Sequence, residues 1–209
     1  MDEFIEVKQL LRAALKCKQC FSIDDVEQGF IDIAQPRLIG PKYFIAHPRI
    51  LIMMLNPGNR EDYGFRQSFY DYNNGKTSLR ELFAYQSRNM SQWGKSHGHF
   101  SGFYFDDMGI SRDEAAFVNI AWCETRGNEY PPSMLNRCFT NFTLPLIKHL
   151  TPHVIILSGV NASKYKKAIA SAIPNSPKFI ETLHYAHRKG KEFQGHELSR
   201  VRKEICQLG

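Results

Sequence analysis

The sequence lacks the features by which membrane-spanning and secreted proteins are recognised. None of its apolar runs approaches the roughly 20 residues that a membrane-spanning helix needs. Its first residues, MDEFIEV, are acidic and do not have the basic-then-apolar layout of a signal peptide. These absences predict a cytoplasmic protein that has no membrane partner.

The short motifs of several large enzyme classes are also missing. The sequence contains no Walker phosphate-binding loop, no Rossmann glycine fingerprint and no Gly-x-Ser-x-Gly nucleophile elbow. Internal repeats, low-complexity tracts and obvious linkers are absent as well, which argues against repeat and multi-domain architectures. Since 209 residues suffice for one domain with a sizeable core, we expect a single domain over residues 1–209 that is a monomer.

Five cysteines are present, and their spacing is compatible with a metal site. In a cytosolic chain they are not expected to form structural disulfides. Cys17 and Cys20 form a Cys-x-x-Cys motif, while Cys123 and Cys138 lie far downstream. Four such thiolates can bind an iron–sulfur cluster or zinc, and the alternative is a set of small buried core residues. Cys206 is left over and is expected to pack in the last helix.

Apolar runs of strand length alternate with segments of helical period. Strands are predicted at 50–55, 115–123, 153–159 and 178–187, the last running into a loop, and helices at 4–17, 78–89, 131–150, 161–173 and 196–208. This alternation predicts parallel βαβ units in an α/β fold, a three-layer α/β/α sandwich with a central, mainly parallel four-stranded sheet. The aromatic-rich stretches 56–75 and 91–111 are predicted as turns and as a long loop, in which His97 and His99 are loop histidines.

Polar residues follow the predicted strands at the places where open parallel sheets form binding sites. The strand ends carry Asn56-Pro57-Gly58, Asn119, Ser158-Gly159 and His184. An amide both donates and accepts hydrogen bonds, so two amides and an imidazole in one crevice suit the edge of a nucleobase. Simpler interpretations exist, since Asn-Pro-Gly is a common turn and both Asn119 and His184 suit satisfied core positions.

The net charge of +6 is unevenly distributed along the chain. The stretch 188–203 holds six Lys or Arg against two Glu. Such an excess attracts polyanions, of which nucleic acid is the commonest, and a solvated basic helix is the alternative.

Three stretches resemble the uracil-DNA glycosylase superfamily. LNPGN, residues 55–59, resembles its first motif in the Asn-Pro-Gly form, and HYAH, residues 184–187, falls where the second motif lies. The block 117–162 resembles the central block of the iron–sulfur branch, in which an Asn, a Cys and a Gly-Asn pair precede a second Cys. The resemblance covers residues 17 to about 188.

The resemblance implies a metal site and two catalytic residues. A [4Fe–4S] cluster, with zinc as the alternative, would be held by Cys17, Cys20, Cys123 and Cys138. Asn56 would position the attacking water below the sugar. His184 would hydrogen-bond the departing base where negative charge develops.

The resemblance also implies residues that contact the substrate. Asn119 would read the uracil edge, with Pro57 and Gly58 in the same site. Phe69, or Phe65 as its substitute, would stack under the flipped base. Contacts to the DNA would come from Tyr185, His187, Arg188, Lys189 and Lys191.

The implied function is removal of uracil, or another deaminated base, from DNA in base-excision repair. Departures from the motifs leave the base open: Met54 replaces a glycine, Leu55 replaces the polar residue of the iron–sulfur branch, and Tyr185-Ala186 replaces Pro-Ser. The alternatives are a pocket for a different base, a non-catalytic module that binds damaged or single-stranded DNA, and a zinc-containing α/β domain that acts on nucleotides or small molecules.

Overall fold

Four parallel strands form a sheet in the computed structural model, which describes residues 3–58, 61–90, 93, 100–186 and 191–207. The strands are β1 (Ile50–Met54), β2 (Ala115–Asn119), β3 (Val154–Ser158) and β4 (Lys178–Thr182), in the order β2–β1–β3–β4. Every residue of β1, β2 and β3 is buried, which explains why these strands are nearly continuous apolar runs. The predicted α/β class and the four-stranded parallel sheet are confirmed.

Helices make up much of the remaining described chain. They are α1 (Glu3–Lys16), α2 (Gln19–Ile23), α3 (Tyr63–Asn73), α4 (Leu79–Asn89), α5 (Pro132–Cys138), α6 (Leu144–Leu150), α7 (Val160–Ser163), α8 (Lys166–Ala172) and α9 (Lys191–Cys206). A π-helical segment, Phe139–Thr143, joins α5 to α6, so the helix predicted at 131–150 is confirmed as one helical run. Over the described ranges, no helix combines the length and the apolar character needed to cross a membrane.

The predicted start of α4 is a capping box. The Glu81 amide donates to the Ser78 hydroxyl at 3.2 Å, and the Ser78 amide donates to the Glu81 carboxylate at 2.7 Å. Two amides that the first turn of a helix leaves without partners are thereby satisfied.

The chain forms two compact units, each built from three separate segments. The first unit comprises Met1–Arg37, Leu55–Tyr85 and Val118–Thr151, and the second comprises Leu38–Met54, Gln86–Phe117 and Pro152–Gly209. Within the first unit, α1 packs against α6 and buries its residues Val7, Leu11 and Ala14. Within the second, β3 pairs in parallel with both β1 and β4. The single domain expected over residues 1–209 stays a prediction.

The stretch 56–75 contains the helix α3, so its prediction as turns alone is wrong. The Asp62 carboxylate caps this helix by accepting a hydrogen bond from the Phe65 amide at 2.9 Å. Phe65, Phe69 and Tyr72 follow at helical spacing, and all three are buried. Their burial outweighs the polar and glycine-rich flanks from which turns were inferred.

The prediction of a loop over the stretch 91–111 is wrong for residues 100–107. These residues are helical, and they include the π-helical segment Gly102–Asp107. Phe100, Phe103 and Tyr104 are buried there, and the Phe100 ring centroid lies 5.4 Å from that of Phe117. Because aromatic side chains bury large areas, this packing stabilises a helix that the local sequence does not favour. His97 and His99 lie outside the described residues.

Candidate active site and cysteine site

The segments that follow β1 and β2 lie side by side in the first unit. The Ala121 amide donates to the Leu55 carbonyl at 2.9 Å. Leu55 directly precedes Asn56, and Ala121 lies two residues after Asn119. The backbone around the two predicted asparagines is therefore brought together, as adjacent parallel strands require.

Asn119 is a buried amide whose side chain has no hydrogen-bond partner among the described residues. Its exposed fraction is 1%, and within the described part of the chain neither Oδ1 nor Nδ2 is paired. Its backbone is held, since the Thr143 hydroxyl donates to the Asn119 carbonyl at 2.7 Å. In the simpler interpretation Asn119 would be a core amide whose oxygen and nitrogen are both hydrogen-bonded, and this does not agree with its two unpaired atoms among the described residues. Leaving a buried polar group unpaired costs about 1–3 kcal/mol, so such a group needs a partner, either an ordered water or a ligand.

Asn56 is held through its amide nitrogen. Nδ2 donates to Oδ1 of Asn128 at 2.6 Å. Burial raises the pKa of Tyr130 to about 12, and hydrogen bonds, including one from the Asn56 amide, act against this effect. The amide nitrogen of Asn56 is therefore engaged by another side chain of the same unit.

The loop that carries Asn128 has an uncommon backbone conformation. Gly127 has φ 72° and Asn128 has φ 62°, a region that favours glycine and tolerates asparagine. The Thr125 hydroxyl closes the loop by donating to the Glu129 carbonyl at 2.7 Å. Asn128 was not predicted as a site residue, although the Gly-Asn pair of the central block was a usable signal.

Pro57 and Gly58 form the turn after Asn56. The Pro57 carbonyl accepts a hydrogen bond from Nη2 of Arg37 at 2.9 Å, and the same guanidinium lies 5.5 Å from the centre of the Phe65 ring. Gly58 has φ 75°, and no described atom lies within 4 Å of the position that a Cβ would take. Arg37 thus links the turn to α3, a role that no local motif in the sequence indicates.

The two candidate stacking rings, Phe65 and Phe69, pack edge to face with centroids 4.9 Å apart. Phe69 has an exposed fraction of 0% and Phe65 one of 4%. Because Phe65 also contacts Arg37, it is the ring that is linked to the Pro57 turn. Stacking of Phe69, or of Phe65 as its substitute, on a base stays a prediction.

The four cysteines predicted as ligands line one small recess in the first unit. Its walls include Cys17, Cys20, Cys123 and Cys138, together with Arg137. Burial, followed by the charges of Cys20 and Cys17, raises the pKa of the Cys123 thiol to about 12. Burial likewise raises the pKa of Cys138, and Cys123 adds to this shift. The sulfur atoms are thus close enough to influence one another's charge.

The chemistry of the recess fits a group bound by four thiolates. The Trp122 amide donates to the Cys138 sulfur at 3.3 Å, a type of hydrogen bond that tunes iron–sulfur clusters. As the described chain stands, no three His, Cys, Asp or Glu side chains are placed to hold a single metal ion.

Cys206 was expected to pack in the last helix, and this expectation is wrong. Its side chain is exposed, because it falls on the outer face of α9.

In the second unit, His184 follows β4 and is half-buried. Its Nδ1 accepts a hydrogen bond from the Ala186 amide at 3.2 Å. In a neutral imidazole the proton then lies on Nε2, which becomes a hydrogen-bond donor. The convergence of His184 with the two asparagines stays a prediction.

Tyr185, one of the predicted DNA contacts, packs in an aromatic cluster of the second unit. Its ring centroid lies 5.3 Å from that of Phe100 and 6.2 Å from that of Tyr104. The Tyr104 hydroxyl is itself hydrogen-bonded to the hydroxyl of Ser158 at the end of β3. Tyr185 is therefore anchored on one side by the core of its unit.

The other predicted DNA contacts lie at or before the start of α9. His187, Arg188 and Lys189 lie outside the described residues, and the side chain of Lys191 is not described either. Farther along α9, Arg200 pairs with Glu197 at 2.7 Å and with Glu204. Part of the basic charge of this helix is therefore balanced within the chain.

Gly159, directly after β3, occupies a position that only glycine adopts easily. It has φ 87° and ψ 161°, and an added Cβ would lie 3.3 Å from the Cβ of His184. We expect Gly159→Ala to lower the free energy of unfolding by about 1–3 kcal/mol, because a side chain in this backbone region is strained. Urea denaturation measures the change.

The matched control is Gly195→Ala in α9, where no described atom lies within 4 Å of the added Cβ. Removing a glycine from a helix interior should raise stability by about 0.5–1 kcal/mol. A Gly159→Ala protein as stable as the wild type would contradict the strain assigned to this position.

Similarity to known proteins does not assign a family to this chain. It matches no protein-family model and no curated protein sequence.

Proposed function

We propose that this chain is a DNA glycosylase that flips uracil, or another deaminated base, out of DNA and hydrolyses its N-glycosidic bond. The observation that carries the proposal is the buried amide of Asn119, which has no partner in the part of the chain that the structure describes. The uracil edge offers a donor, N3–H, beside an acceptor, O4. The amide supplies the complementary acceptor and donor, so a flipped uracil would satisfy both of its polar atoms.

Asn56 is the proposed holder of the attacking water. Because its Nδ2 donates to Asn128, its Oδ1 would accept a hydrogen bond from that water. The water oxygen bonds to C1′ of the sugar while the C1′–N1 bond breaks, the electron pair of that bond leaves with the base, and the water releases a proton to solvent. An amide is a poor general base, so Asn56 contributes orientation rather than proton removal.

His184 is the proposed stabiliser of the departing base. Negative charge develops on uracil O2 as the bond breaks, and an imidazole with its proton on Nε2 would donate a hydrogen bond to that oxygen. The bond from the Ala186 amide to Nδ1 supports this tautomer. Donors aimed at developing charge contribute about 3–4 kcal/mol to transition-state stabilisation.

The remaining contacts follow the same proposal. Phe69, or Phe65 as its substitute, would stack on the flipped base. Pro57 and Gly58 would leave space beside it. Contacts to the DNA would come from the basic stretch that contains Tyr185, His187, Arg188, Lys189 and Lys191.

The cysteine recess is proposed to hold a [4Fe–4S] cluster, with zinc as the alternative. The ligands would be Cys17, Cys20, Cys123 and Cys138, which line one recess. Such a group would supply a structural cross-link rather than chemistry at the base. It would tie α2 and Cys17, the residue directly after α1, to α5 and to the segment after β2.

The test is excision of uracil from a labelled DNA strand, single-stranded and paired with G or A. Abasic sites are detected by alkaline cleavage. We expect uracil release by the wild-type protein and a rate about 100-fold lower for His184→Ala, because one aimed donor is lost. The unfolding midpoint of His184→Ala should equal that of the wild type, since a merely structural histidine would destabilise the fold when removed.

Other outcomes separate the alternatives. Excision of a different base from a panel of modified bases would support the glycosylase reaction but identify a substrate other than uracil. DNA binding without cleavage of any base by a folded, metal-loaded protein would contradict the glycosylase proposal and favour a non-catalytic DNA-binding module.

A further inference from the structure

A mostly buried ion pair stands beside the four cysteines. Nη1 of Arg137 lies 2.5 Å from Oδ2 of Asp24, and the exposed fractions of the two side chains are 23% and 5%. The other oxygen of Asp24 accepts a hydrogen bond from the Ser133 hydroxyl at 2.6 Å. The hydrogen bond from Arg137, followed by that from Ser133, lowers the pKa of Asp24, which is therefore a carboxylate at neutral pH.

The guanidinium of Arg137 also reaches the thiols. It lines the recess that the four cysteines share. Lys18, a second cation near these thiols, is directed elsewhere, because its Nζ donates to the Asp32 carbonyl. Arg137 thus stands in the wall of the cysteine recess while the carboxylate of Asp24 holds its guanidinium.

We propose that Arg137, held in place by Asp24, is the charge partner of the group that the four cysteines bind. Four thiolates around a [4Fe–4S] core or a zinc ion leave two negative charges in a recess that is largely shielded from water. Buried charge of this kind is costly unless it is paired and hydrogen-bonded. A planar guanidinium can donate hydrogen bonds to a sulfur and to a carboxylate at the same time, whereas a lysine ammonium is less suited to this.

This inference rests on the proposed function through its cofactor alone, since it concerns how tightly the group is held and not how the base is removed. Hydrogen bonds and charges near the sulfurs set the reduction potential of a cluster, and the residues that orient ligands strengthen metal binding. Arg137 is therefore a positioning residue that should affect metal retention and potential.

The experiment compares anaerobically reconstituted full-length wild type with Arg137→Met, Arg137→Lys and Asp24→Asn. The matched control is Arg126→Met, which removes one positive charge from an exposed ion pair with Glu27, 2.9 Å long and with side-chain exposures of 76% and 70%. Iron and sulfide per chain, the rate of iron loss to a chelator and the reduction potential are measured.

We expect Arg137→Met to lose iron about 10-fold faster or more, the range for removal of a residue that orients metal ligands. Its potential should fall, because a nearby cation favours the reduced and more negative cluster. Arg137→Lys should partly restore both values, Asp24→Asn should speed iron loss because it releases Arg137, and Arg126→Met should match the wild type. Identical chelation rates and potentials for Arg137→Met and the wild type would overturn the proposal.

Three further outcomes decide the remaining cases. If Arg137→Met does not fold, Arg137→Lys and Asp24→Asn carry the test, and wild-type values for both overturn it. If the wild type holds zinc, the same comparison of zinc loss applies, and faster loss from Arg137→Met supports the role. A wild type that binds neither metal overturns the cofactor and the role of Arg137, whereas uracil excision by that protein would still support the proposed function.

Discussion

Replacing Asn119 by leucine is expected to stabilise the protein while abolishing uracil excision. The amide is buried and unpaired among the described residues, so an apolar side chain of similar size removes a cost of about 1–3 kcal/mol. The same change removes the donor and the acceptor that would read uracil, and a site built on such a pair loses about 10⁴-fold in rate without it. Urea denaturation and single-turnover excision measure the two effects.

The opposite signs of these effects distinguish a binding residue from a core residue. If Asn119 were a satisfied core amide, leucine would leave partners unpaired and lower stability, and excision would fall only as far as the fold is damaged. Asn175→Leu is the control, because Asn175 is exposed and the substitution there should change neither quantity. A destabilised Asn119→Leu protein that still excises uracil would remove the observation on which the proposed function rests.

The sheet could be predicted from sequence because its strands are buried on both faces. β1 and β3 are continuous apolar runs, and such runs are recognisable without knowledge of their neighbours. α3 could not be predicted in the same way, because Phe65, Phe69 and Tyr72 have helical spacing within a stretch whose other residues favour turns. Its helix depends on tertiary burial rather than on local propensity.

The candidate site shows the same division between local and long-range information. The positions of Asn56 and Asn119 at strand ends follow from the pattern of apolar runs. Whether an amide is paired depends on segments far away in sequence. The sequence therefore could not predict that Asn119 is unpaired among the described residues, or that the amide nitrogen of Asn56 donates to Asn128. Arg37 reaches Pro57 from a segment without regular structure, and nothing local in the sequence indicates that contact.

Replacing Asn56 by alanine is expected to lower the rate of base release about 100- to 1,000-fold and to leave DNA affinity unchanged. The magnitude is that of one lost, preorganised polar group in an active site. Affinity should persist because the amide oxygen would hold water rather than DNA. Single-turnover rates give the first quantity, and fluorescence anisotropy with a non-cleavable uracil analogue gives the second. An equal loss of rate and affinity would contradict the assigned role.

Two substitutions of Asn128 separate the side-chain contact from the backbone that presents it. Asn128→Asp keeps an oxygen that can accept from Nδ2 of Asn56, so it should keep most of the rate. Asn128→Gly keeps the positive φ at no steric cost but removes the acceptor, so its rate should fall toward that of Asn56→Ala. In the double variant Asn56→Ala with Asn128→Gly, no further loss is expected, because the two residues act through one contact. Additive losses would show that Asn128 acts on the substrate independently of Asn56.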